Sequence, residues 1–273
     1  MPKAVSMDVK QRNNVTILGE GAQTLLFAHG FGCDQSMWRL VAPHFVDRAR
    51  VALFDHVGAG GSDVSAYDPV KYAGLAGYAT DVIEICETQG LGDVVFVGHS
   101  VSAMIGVLAA GRRPDLFSRL VLIGASPRFA NDNGYFGGFD EQDLEDLLDL
   151  LAKNQLDWSD AIAPAVVADD AFQEEWRASV CRVDPTIAQE FARATFLSDH
   201  RADCGQVVTP TLLIECGEDV LAPPQVGAFV HAAIAGSRRV VLEAAGHSPH
   251  LTSPVAVVEA MRAFLNDAPP RAH

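Results

Sequence analysis

Three residues in this chain could turn a hydroxyl into a nucleophile: Ser100, Asp219 and His247. A serine hydroxyl attacks poorly until a base takes its proton, and an imidazole serves as that base when an acid holds its tautomer. Ser100 stands in Gly98-His99-Ser100-Val101-Ser102, Asp219 follows Gly217-Glu218, and His247 lies in Ala245-Gly246-His247. Together they could attack a carbonyl carbon and pass an acyl group to water. Glu218 beside Asp219 is a rival acid, and His250 is a rival base. The loop at Gly124-Ala125-Ser126, another place for an acid, holds none.

Such chemistry needs elements that bring distant residues to one edge. Residues 94–97, Val-Val-Phe-Val, read as a buried strand; a glycine, a lone serine and small apolar residues at helical spacing follow. That is strand, tight turn and helix, the turn forcing the serine outward: the nucleophile elbow of α/β-hydrolases, with Ser102 where a second glycine is usual. Ser102 is small enough for helix and strand to approach closely. Asp219 follows a strand at 211–216 and His247 follows one at 239–242, so Ser, acid and His come in the order that fold uses. Further strands at 14–18, 24–28, 51–54 and 120–123 alternate with helical stretches at 35–43, 78–88, 101–110 and 255–265. The expected fold is α/β: an α/β-hydrolase fold with a mostly parallel central sheet and helices on both faces.

The strand at 24–28 runs into His29-Gly30-Phe31-Gly32, where glycines let the backbone turn and expose amides. The N–H groups of Phe31 and Val101 are the expected oxyanion hole. The glycine-rich loop at 55–62 lacks the lysine and spacing of a phosphate cradle, so Asp55 is read as its anchor, accepting backbone N–H bonds. His29 and His99 read as structural or pocket-lining, and the other histidines apart from His247 and His250 as surface positions.

From 127 to 200 the strand rhythm stops. Leu144, Leu147, Leu148 and Leu151 follow helical spacing, as do Phe172, Trp176 and Val180. A helix over 158–167 is interrupted by Pro164. Asp184-Pro185 supplies an N-cap and a first-turn proline for another, with Ile187 and Phe191 on one face. The expected organisation is a core at 1–126, a four-helix cap at 127–200 over the edge where open α/β sheets bind ligands, and the rest of the core at 201–273.

The net charge of −15 argues against nucleic acid or anionic membranes as partners. The five cysteines (Cys33, Cys86, Cys181, Cys204 and Cys216) are odd in number and lack metal-ligand spacing, so reduced thiols are expected, with no metal and no cofactor. Residues 1–19 show no apolar signal core and no run is long enough to span a membrane, so a cytoplasmic location is expected.

Several stretches resemble one family: His-Gly-Phe-Gly-Cys-Asp-Gln-Ser-Met-Trp (29–38), Gly-His-Ser-Val-Ser-Ala-Met-Ile-Gly (98–106), Ser-Pro-Arg-Phe (126–129), Tyr-Phe-Gly-Gly-Phe (135–139) and Phe-Leu-Ser-Asp-His-Arg (196–201). It contains the RsbQ stress-response regulators of bacteria and the plant karrikin and strigolactone receptors. The similarity runs from about 15 to 265 and includes the helical insertion. It implies a V-shaped four-helix cap, a Ser-His-Asp triad under a small hydrophobic pocket, and slow hydrolysis of small esters or butenolide-type lactones. For partners it implies signalling proteins; the bacterial member acts with a PAS-domain phosphatase. The elbow with Ser at its last position is shared with the plant receptors, while the alanine-rich, acidic composition fits a bacterium. The pocket lining expected on this basis is His29, Phe31, Val101, Phe129, Phe136, Trp158, Phe196 and Val220, beside His247.

Two functions follow, an esterase or lactonase and a ligand sensor whose slow hydrolysis gates a partner. A non-hydrolytic use of the fold, haloperoxidase-like or lyase, has no sequence feature demanding it.

Overall fold

The computed structural model describes residues 8–267; the sequence reading of residues 1–7 and of the chain beyond 267 lies outside them. The strands are β1 (Thr16–Leu18), β2 (Thr24–Ala28), β3 (Arg50–Phe54), β4 (Val94–His99), β5 (Phe117–Ile123), β6 (Thr211–Glu218) and β7 (Arg238–Ala245). They form one sheet in the order β1-β3-β2-β4-β5-β6-β7. Only β1 is antiparallel, paired with β3. The central run 94–99 is buried throughout, as a strand covered on both faces must be.

Alternate residues of each strand feed two apolar layers. Leu26, Phe54, Phe96 and Leu122 face one layer, with helices α2 (Leu75–Thr88) and α3 (Val101–Arg112). Leu25, Phe27, Val97 and Ile123 face the other, closed by Trp38, Phe45 and the last helix. The short helix α1 (Val9–Arg12) precedes β1. Between β5 and β6 stand α4 (Glu141–Lys153), α5 (Gln155–Val166), α6 (Asp170–Arg182) and α7 (Pro185–Phe196), then a single turn, α8 (Arg201–Cys204). Their apolar faces form a third core around Trp158, Trp176, Leu148 and Phe196. Asp184 caps α7 by accepting from the Thr186 and Ile187 N–H groups. After β6 come α9 (Pro224–Ala233), α10 (Pro249–Thr252) and α11 (Pro254–Asn266).

Some expectations change. The stretch at 35–43 forms two 3₁₀ turns, Gln35–Trp38 and Ala42–Phe45, because Pro43 cannot continue a hydrogen-bonded helix. Pro164 does not end α5, which runs on to Val166; lacking an N–H, the proline leaves only the Asp160 carbonyl without its helical donor. Helix α9 has no counterpart in the sequence reading. Its Gly227 weakens the helical pattern yet is required: a Cβ there would lie 2.0 Å from Glu215 Oε1.

Candidate active site

Because β2 and β4–β7 run parallel, their C-terminal ends lie along one edge, and each candidate residue sits at such an end. Ser100 caps α3 with φ 57° and ψ −121°, a left-handed backbone that a side chain adopts only under strain. The turn is pinned where the Ser100 N–H donates to the Ile123 carbonyl. The close crossing of α3 over β4 rests on Gly98 and Gly106, where a Cβ would sit 2.5 Å from the Ser102 carbonyl oxygen and 2.4 Å from the Phe96 ring respectively.

The Ser100 hydroxyl lies 2.8 Å from His247 Nε2, and His247 Nδ1 lies 2.7 Å from Asp219 Oδ2. Asp219 Oδ1 accepts the N–H groups of Leu221 and Ala222, which fixes the carboxylate and leaves Oδ2 for the imidazole. With Nδ1–H donated to a carboxylate, Nε2 carries the lone pair that faces Ser100. Gly124 makes room for this ring, since a Cβ there would lie 2.8 Å from His247 Cε1. The His247 N–H donates to the Val166 carbonyl at the end of α5, and its carbonyl accepts from His99 Nε2. The rivals are placed elsewhere. Glu218 is exposed, and His250 is buried between the rings of Trp38 and His99.

The backbone around Phe31 is equally constrained. A Cβ on Gly30 would fall 2.5 Å from His99 Nδ1, and one on Gly32 would fall 2.3 Å from Val180 Cγ2. Among the described residues, neither the Phe31 nor the Val101 N–H donates to a protein acceptor. Ser102 ties this loop to the elbow: its hydroxyl donates to the His29 carbonyl and accepts from His56 Nε2 at 2.7 Å. His29 Nε2 in turn accepts the His56 N–H. His56, expected at the surface, is 1 % exposed. Burial, then repulsion from His29, holds its pKa well below the usual value, so the ring is neutral. His99 is held neutral by burial and by repulsion from His250 and His247, and burial drives His250 down to about 3. Asp55 anchors its loop as read, accepting the N–H groups of Gln35 and Gly61.

Ser100 and His247 open into a narrow cavity of about 30 Å³, lined also by Phe31, His99, Phe129, Trp158, Ile162, Val166, Trp176, Thr195, Phe196 and Leu221. Four expected lining residues are not on its wall. Phe136 and Val220 are 49 % and 61 % exposed, turned outward from their loops. The Val101 side chain packs into the sheet core, and His29 lies beneath the loop in the Ser102–His56 network. The next residue, Leu221, takes the place expected for Val220. Trp158, Ile162 and Val166 repeat every fourth residue along α5, so this wall was visible as a stripe but not as a pocket.

Residues 25–260 match the model of the alpha/beta hydrolase family. The chain belongs to that family. Among relatives of this hydrolase, a karrikin insensitive 2 receptor of Petunia hybrida is 41 % identical over 92 % of this chain and 94 % of its own. The strigolactone esterase of Arabidopsis thaliana is 38 % identical over 92 % of this chain and 96 % of its own. A hydrolase of Oleispira antarctica superposes with a TM-score of 0.93 at 38 % identity, over 95 % of this chain and 97 % of its own.

Proposed function

We propose that this chain is a serine hydrolase acting on a small hydrophobic ester or butenolide-type lactone. The observation that carries the reading is the continuous line of hydrogen bonds from Asp219 through His247 to Ser100, at 2.7 and 2.8 Å, under an apolar cavity. Ser100 Oγ attacks the carbonyl carbon as His247 Nε2 takes its proton. Asp219 keeps the proton on Nδ1 and stabilises the imidazolium that forms. The Phe31 and Val101 N–H groups, with the positive end of α3, receive the oxyanion. His247 then protonates the leaving oxygen, and a water molecule repeats the sequence to release the acid. The apolar wall strengthens these electrostatic interactions by excluding solvent and favours substrates without charge. The helical insertion at 127–200 acts as the cap that supplies most of that wall.

Ser100→Ala is expected to abolish turnover of p-nitrophenyl acetate and covalent labelling by a fluorophosphonate. Unchanged labelling of that variant refutes the assignment. A second reading is that hydrolysis is slow and gates a protein partner, such as a PAS-domain phosphatase. It is favoured by the 41 % identical relative that bears the name of a receptor. A ligand-dependent rise in melting temperature with turnover below about one per minute, against the median of about 10 s⁻¹ for enzymes, supports it. Rapid turnover with no protein captured refutes it.

A further inference from the structure

The base is held by its main chain as well as by Asp219, and one of those holds comes from the residue beside the nucleophile. His99 ends β4 one step before Ser100. Its Nε2 lies 2.9 Å from the His247 carbonyl oxygen, 148 residues away in the chain. A carbonyl can only accept, so the contact fixes the tautomer: the proton sits on Nε2, and Nδ1 keeps a lone pair. That Nδ1 is buried and has no partner among the described residues. The ring is packed against the rings of His250 and His247, with centroids 4.4 and 5.1 Å away, and against Gly30, where a Cβ would lie 2.5 Å from Nδ1. Burial, then repulsion from His250 and His247, keeps it neutral. For packing alone, an apolar side chain would fill this place without leaving a buried nitrogen unpartnered. What the imidazole adds is the one N–H that meets His247.

We infer that His99 is a positioning residue for the hydrolysis: it fixes the main chain of His247 so that the base stays on Ser100 Oγ. The inference rests on the hydrolase reading and adds a residue that acts through His247. The His247 main chain has two ties. Its N–H donates to the Val166 carbonyl of α5, in the helical insertion, and its carbonyl accepts from His99, in the central sheet. Trp158, Ile162 and Val166 of α5 wall the catalytic cavity, which at about 30 Å³ has room for about two water molecules and too little for an ester. The wall must therefore give way when substrate enters. A shift of α5 carries the Val166 tie with it, whereas the His99 tie stays with the sheet. Because His99 and Ser100 are neighbours in the chain, base and nucleophile are then placed from one origin.

The test measures kcat and KM for p-nitrophenyl acetate, and the rate of fluorophosphonate labelling, in His99→Gln, His99→Asn and His99→Leu at a temperature where each is folded. Glutamine carries an amide N–H at the reach of Nε2 and can still donate to the His247 carbonyl. Asparagine carries the same group one methylene short, and leucine carries none. Displacing a catalytic group by about 1 Å costs up to about 100-fold. His99→Asn and His99→Leu are therefore expected to lower kcat and the labelling rate at least about tenfold, with KM within about threefold of the original. His99→Gln is expected to recover about half of that loss or more on a logarithmic scale. The contrast between glutamine and asparagine separates position from folding, since both put one amide in the same place. If His99→Asn does not fold, His99→Leu takes its part. Equal losses in His99→Gln and the shorter variant, a raised KM with kcat unchanged, or rates within about twofold of the original in every folded variant overturn the inference. Acetate turnover that survives Ser100→Ala overturns the hydrolase reading instead.

Discussion

Ser102→Ala is the sharpest probe of how the elbow holds the oxyanion loop. Ser102 is fully buried, and His29 and His56 are each 1 % exposed. Its hydroxyl donates to the His29 carbonyl and accepts from His56 Nε2–H, so the alanine variant strands a buried acceptor and a buried donor at once. Each stranded group costs about 1–3 kcal/mol, so the pair costs about 2–6 kcal/mol. For a chain of this size that lowers Tm by roughly 5–15 °C in a calorimetric or fluorescence scan. The site should respond too. The His29 carbonyl immediately precedes Gly30 and Phe31, and its release lets the Phe31 N–H drift from the carbonyl oxygen. A displacement near 1 Å costs up to about 100-fold, so kcat for p-nitrophenyl acetate should fall at least about tenfold with KM little changed. A Tm within about 2 °C of the original, or kcat unchanged, refutes the reasoning. Ser102→Gly, which restores the commoner elbow pattern, should be no better, because it strands the same two groups and weakens the first turn of α3 by about 1 kcal/mol.

The buried histidines set the acid response. His56, His99 and His250 have folded-state pKa values below the ordinary 6.5, so they add nothing above that pH, where both states are neutral. As pH falls through 6.5 the unfolded chain takes up protons that the folded chain refuses, and stability is lost at up to about 1.4 kcal/mol per pH unit for each. Urea midpoints should therefore drop clearly between pH 7.5 and 5.5, and equal midpoints refute the neutral, buried assignment. Ser100→Gly should remove the strain at φ 57° and stabilise the fold by about 1 kcal/mol while abolishing turnover, and a lower Tm argues against that strain. Arg239→Ala should cost about 3–5 kcal/mol, read from denaturant midpoints. It leaves Glu215, 4 % exposed and bonded by two guanidinium nitrogens, as an uncompensated buried charge.

Much of the scaffold was legible because period and order are local properties. The apolar run at 94–97, the single serine after Gly98 and the later strand-end Asp219 and His247 identified the elements without any contact information. What failed was local too, but hidden by its environment. Gly227 makes α9 look weak, and only the Glu215 carboxylate packed against it explains the glycine. His56 looks like any loop histidine; its burial comes from Ser102, 46 residues away in the chain. Phe136 and Val220 have the composition of a lining but not its direction, since loop side chains carry no periodicity from which a face can be read.

By itself the sequence determined the fold class, the three polar residues placed at strand ends, and the apolar stripes of the inserted helices. Hydrophobic period and turn chemistry are written within a few residues of each position. Only the tertiary structure decided which acid and which imidazole meet Ser100. Glu218 ends β6 exposed, whereas the next residue, Asp219, turns inward in the loop that follows, where the Leu221 and Ala222 N–H groups hold its carboxylate. Only the packing, too, revealed that Phe31 lies among Trp158, Phe191 and Phe196 and that Ser102 fastens its loop. Both depend on residues that approach from separate elements, and no spacing along the chain encodes that approach.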